Sequence, residues 1–103
     1  MRVIQKLSDK IEEEIKDSAC YAKMALEVRD MYPALAEVLF ALSTDEMKHM
    51  SLLHDQVVKL IEDYRKENGD PPPEMMARYE YLHARHIEAA KDAKILQAMY
   101  RER

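Results

Sequence analysis

The stretch STDEMKHMSLL, residues 43–53, sets Glu46 and His49 three positions apart. On a helix, that spacing directs both side chains to one side, so they can share one metal ion or bridge two. Leucines flank the pair at helical spacing, with Leu35, Leu39 and Leu42 before it and Leu53 and Leu60 after. The pair therefore interrupts a stripe that otherwise reads as core. Glu14 interrupts a second stripe, with Ile4, Leu7 and Ile11 before it and Ser18, Tyr21, Ala25 and Val28 after. A charge buried alone is costly, so such a group must be paired, neutralised or bound to a metal. Carboxylate oxygens with an imidazole nitrogen, and no thiolate, suit iron or manganese.

The elements that must hold these residues are set by two breaks. The first is DMYP, ending at Pro33; the second is NGDPPPE, residues 68–74. Proline disfavours helix at the residue before it and fits a first helical turn, while Asn68 and Gly69 suit a helix end. Three helices follow, over about 3–31, 33–67 and 74–101, in one all-α domain spanning 1–103. The single glycine and the abundance of Ala, Leu, Met, Glu and Lys agree with long helices and leave little turn chemistry for a sheet.

Folding the first helix against the second about Met31–Tyr32 puts residue 46 level with about residue 17, and 49 level with about 14. Glu14 thus arrives within about one helical turn of Glu46 and His49. Di-metal carboxylate bundles take one Glu from each of two helices and a Glu-x-x-His from each of two others. The first two helices supply half of such a site. A second tetrad, Glu80 to His83, does not complete it. If helix 3 returns about Asp70, residue 80 lies level with about residue 60, ~15–20 Å along the axis from Glu46. Glu80 and His83 also sit beside the helix 3 stripe of Met75, Tyr79, Leu82, His86, Ala89, Ala93, Leu96 and Tyr100, where a solvated face is expected. A second copy of the hairpin is the better completion. It gives four carboxylates and two histidines, enough to balance two divalent ions. A long antiparallel hairpin plus a third helix, dimerising into a four-helix bundle, is the expected architecture.

The segments EIKDSACY, with Tyr21 seven residues after Glu14, and DEMKH, with Glu46 and His49, resemble the ferritin-like superfamily on its rubrerythrin side. The resemblance covers about residues 7–60. It implies iron binding, with Glu14, Glu46 and His49 as ligands and Tyr21 beside the site, hydrogen-bonding a ligand carboxylate. It also implies ferroxidase or peroxide-reducing chemistry. With three helices and one ligand set, the chain is similar to encapsulated ferritins, short helical chains whose iron site forms between subunits. Two iron ions per homodimer are then expected, with manganese or zinc as alternatives, and the assembly is a homodimer or a higher homo-oligomer.

Two other function classes stay open. The heptad-like stripes suit a metal-free helical oligomerisation or interaction protein, and the Glu–His set suits an isolated structural zinc site. His86 reads as a hydrogen-bonded core histidine. His54, beside Asp55, reads as reaching solvent or capping a neighbour. The eight methionines read as core filling and Cys20 as a bystander. The net charge of −4, with no basic patch interleaved with aromatics, argues against nucleic acid. No apolar run reaches membrane-spanning length, and the start MRVIQKLSDK lacks the apolar core of a signal peptide. One cysteine cannot form an internal disulfide, which fits a reducing compartment, so a soluble cytoplasmic protein is expected.

Overall fold

The computed structural model describes residues 2–102. Three helices account for nearly all of them: α1 (Arg2–Val28), α2 (Pro33–Asn68) and α3 (Pro73–Arg101). The ends follow local chemistry. Pro33 holds Tyr32 out of the helical region, at φ −134° and ψ 67°, and itself occupies the first turn of α2. α1 consequently stops at Val28, short of the expected end near residue 31, and the Tyr32 N–H closes the turn onto the Val28 carbonyl at 2.7 Å. α2 ends at Gly69, whose φ of 77° is readily reached only without a side chain. The Gly69 N–H donates to the Arg65 carbonyl at 3.0 Å. Pro73 then opens α3.

The helices run up, down and up in a rod with extents of 56 × 18 × 18 Å. Ser18 meets Ser43 and Glu14 meets His49, so α1 and α2 are antiparallel. Arg85 reaches Glu12 at 3.3 Å and Gln97 reaches Ser18, so α3 lies parallel to α1. A single Arg29 guanidinium nitrogen donates to the carbonyls of Met99, Tyr100 and Glu102 at 3.0–3.3 Å, satisfying the open end of α3. Among the described residues, no helix is long and apolar enough to cross a membrane.

Apolar packing is split into two clusters. One joins Ile4, Ile11 and Ile15 to Val57, Ile61 and Ala90; the other joins Ala25, Ala36, Leu39 and Tyr100. Between them lies a buried polar knot. The Ser18 hydroxyl donates to the Ser43 carbonyl at 2.8 Å, and the Ser43 hydroxyl donates to the Ser18 carbonyl at 2.7 Å. The Gln97 amide of α3 donates to both hydroxyl oxygens, at 2.9 and 3.3 Å. Every hydroxyl proton in the knot has an acceptor, as burial requires. Serines at 18 and 43 and alanines at 22, 25 and 36, all fully buried, let the helices approach closely here.

The leucine stripe of α2 is only partly core: Leu39 is buried and Leu53 and Leu60 pack against the larger cluster, but Leu35 and Leu42 do not. α2 buries Ala36, Leu39, Ser43, Val57 and Ile61. Leu35 and Leu42 are exposed, together with Val38 and Leu52, at 37–65 %. These four share the 35, 38, 42, 52 spacing of one helical ridge. α1 and α3 occupy the neighbouring face of α2, which leaves this ridge bare.

Candidate metal centre

Glu14, Glu46 and His49 come together in the middle of the hairpin. One ligand atom from each lies within 4.8 Å of the others. His49 Nδ1 is 3.5 Å from Glu14 Oε2 and 3.9 Å from Glu46 Oε2. The polar knot explains the register. Glu14 is one turn before Ser18 on α1, and Glu46 is one turn after Ser43 on α2, so the reciprocal serine bonds level the two carboxylates. The sequence signal for Ser18 was its place on the α1 stripe. Ser43 and Gln97 gave none, because small or uncharged polar residues do not mark a face.

The three side chains differ in exposure. Glu14 is buried, at 7 %, while His49 is exposed. Glu14 Oε2 is fully buried and has no hydrogen-bond donor among the described residues. Its other oxygen lies 3.5 Å from the Lys10 ammonium. Lys10 is held above its ordinary pKa by its hydrogen bond to Glu13 and the charge of Glu13, then by Glu14. A buried carboxylate oxygen without a donor normally costs free energy, and a cation beside it removes that cost. The donor set therefore fits a hard or borderline divalent ion of the iron class. It fits incompletely, because two carboxylates and one imidazole fall short of the full coordination shell of such an ion. His49, the exposed member of the group, lies one turn from Leu52 of the bare ridge.

Tyr21 stands two turns along α1 from Glu14. It packs against the Ala25, Ala36, Leu39 and Tyr100 cluster. Among the described residues, no hydrogen bond joins its hydroxyl to Glu14 or Glu46. Glu80 and His83 lie on α3, apart from this group, and they differ from each other. Glu80 is exposed, but His83 is half-buried and stacked on His54 at 4.9 Å and on Tyr79 at 5.8 Å. His83 is thus not part of a solvated face, because the α2–α3 groove receives it. His54 is half-buried and makes no capping hydrogen bond among the described residues, and buried His86 lacks the expected hydrogen bond there.

The family model described as rubrerythrin matches residues 6–103, so the match runs past the hairpin to the end of α3. Comparison with curated proteins gives no match, and comparison with solved structures gives none.

Proposed function

The chain belongs to the rubrerythrin family, a ferritin-like family of di-iron carboxylate proteins, and from that premise we propose that two copies enclose one di-iron centre. Glu14, Glu46 and His49 of each copy hold it. The observation that carries this reading is the buried Glu14 Oε2, without a donor and 3.5 Å from His49, at the edge of an exposed apolar ridge. A half-built donor set and an uncovered apolar face adjoin one another, and a two-fold partner completes both.

Iron held there would supply electrons for reducing dioxygen or peroxide. The chain's residues bind and orient. Glu14, fixed by burial and by the serine knot, is the rigid ligand. Glu46, less buried, would be the more adaptable carboxylate of the two. His49, exposed in the single chain, would add an imidazole nitrogen to the set. The Lys10 ammonium near Glu14 balances charge when no cation is held and withdraws when one is. In the dimer, the leucines and Val38 of the ridge exclude bulk water from the centre.

Anaerobic Fe(II) titration followed by air tests this proposal. The expected result is one iron per chain, two per dimer, with oxygen-dependent absorbance that is absent in Glu46→Ala. The exposed ridge also supports a second reading, a metal-free helical oligomerisation protein. A dimer that forms equally well with a chelator present and retains no iron would select that reading. Tight Zn(II) retention with no change on adding Fe(II) and air would instead select a structural zinc site.

A further inference from the structure

Three imidazoles remain unused by the iron site. His54 of α2 and His83 and His86 of α3 line one cavity of about 340 Å³ between those helices. It lies away from the Glu14 group. His54 is five residues past His49, roughly 140° around the helix axis and ~7–8 Å along it. His86 is 9 % exposed, and among the described residues none of the three rings has a hydrogen-bond partner. His86 is buried and His54 and His83 are half-buried, so the cavity leaves their ring nitrogens open to a small ligand and unclaimed by any group of the described residues. Three imidazoles bordering one cavity form a candidate ligand set.

We propose that His54, His83 and His86 form a second metal site, for one borderline divalent transition ion of the Zn(II), Cu(II) or Ni(II) type. Ligand chemistry points to this class, because imidazole without thiolate or paired carboxylates suits those ions. The spacing fits as well. The His54 and His83 ring centres are 4.9 Å apart. Two imidazoles bound to one ion, with metal–nitrogen bonds of about 2.1 Å, place their ring centres roughly 4.5–5.3 Å apart, the larger value for a tetrahedral site. His86 is three residues after His83, so both reach the same side of α3. As placed, the ligand atoms of the three histidines do not converge as those of Glu14, Glu46 and His49 do: the rings of His54 and His83 are stacked nearly parallel, with planes 14° apart. Convergence on one ion therefore needs rotation about χ2, a broad torsion, into the open cavity.

The electrostatics agree. Burial lowers the pKa of both His83 and His86, and the charge of His54 lowers that of His83 further. Both rings are thus neutral at pH 7 and keep a lone pair for a metal. Asp55 on the cavity wall adds a carboxylate. Lys91 and Lys94 also border the cavity, but both are exposed, and Lys91 pairs with Glu88 at 3.2 Å. An ion held here ties α2 to α3, as the serine knot ties α1 to α2.

The test uses the full chain carrying Glu46→Ala, which disables the iron site, so the two proposals succeed or fail separately. Equilibrium dialysis against Zn(II) is expected to leave one ion per chain and to raise the melting temperature. Co(II) in its place is expected to give the visible bands of a nitrogen-rich, low-coordinate site. Adding His54→Ala or His83→Ala is expected to weaken Zn(II) binding at least tenfold, with helicity unchanged by circular dichroism. Because His86 is buried, His86→Asn is the gentler third variant. The proposal is overturned if the Glu46→Ala protein retains no Zn(II), or if it retains Zn(II) equally well after the histidine substitutions.

Discussion

Leu42→Lys tests whether the bare ridge of α2 is where two copies meet. Leu35, Val38, Leu42 and Leu52 keep, on average, about half of their surface exposed. Full burial of such a side chain stabilises by about 1.5–3 kcal/mol, so completing it here contributes about 1 kcal/mol per residue. Two copies bring eight such residues, or about 8 kcal/mol. Association costs roughly 4–15 kcal/mol in lost translational and rotational freedom. The ridge alone is therefore close to break-even, and iron shared as proposed would supply the margin. Leu42→Lys removes about 2 kcal/mol from the pair and sets two ammonium groups near the two-fold axis. The dimer dissociation constant should rise about thirtyfold or more. Sedimentation equilibrium under anaerobic conditions, with and without Fe(II), measures it. Tighter association with iron is expected in the wild type and much weaker association in the variant. If Leu42→Lys self-associates as tightly as the wild type, the ridge is not the contact face and the completion of the site across it fails.

Other outcomes can be read from single variants. Ser43→Ala strips one acceptor from the Gln97 amide and one donor from the Ser18 carbonyl, so urea unfolding should show a loss of about 1–3 kcal/mol. Gln97→Leu leaves the serine pair self-satisfied and should cost less, about 1 kcal/mol; the reverse order would contradict the assigned donors. Metal-free protein should lose stability on acidification. The folded-state pKa values of His83 and His86 are lowered, so the unfolded chain takes up protons first. Their contribution is complete above the ordinary histidine pKa of about 6.5 and is lost as pH falls from there through the lowered folded values. Denaturant melts at pH 8 and pH 5.5 measure this, and His86→Leu should flatten the difference. Lys10→Met removes the ammonium beside Glu14, so cation affinity measured by titration should rise; an unchanged affinity would show that Lys10 does not compete with the ion.

The sequence revealed some of this directly and hid the rest for physical reasons. Pro33, Gly69 and the prolines at 71–73 marked the helix breaks, because each acts on its own backbone. The fixed rise of a helix made Glu14, Glu46 and His49 neighbours once a hairpin was assumed. The same arithmetic that sets residue 80 opposite 60 also sets 86 opposite 54, so the histidine cavity was within reach of that signal. The facing of Leu35 and Leu42 was not. An apolar stripe looks the same whether it closes on its own chain or on a second one. Ser43 and Gln97 were hidden for another reason: their value lies in complementary protons and lone pairs across three helices, which no periodicity records.

The serine–glutamine knot gives this rod an uneven softness. On either side of it the packing is mostly hydrocarbon, apart from the Arg29 clasp on the end of α3, and can loosen one turn at a time. The middle cannot slide by a residue without orphaning several hydrogen-bonding groups at once. Fraying that starts at either tip should therefore halt near Ser18 and Ser43, leaving Glu14 and Glu46 level with one another while the rest of the molecule breathes.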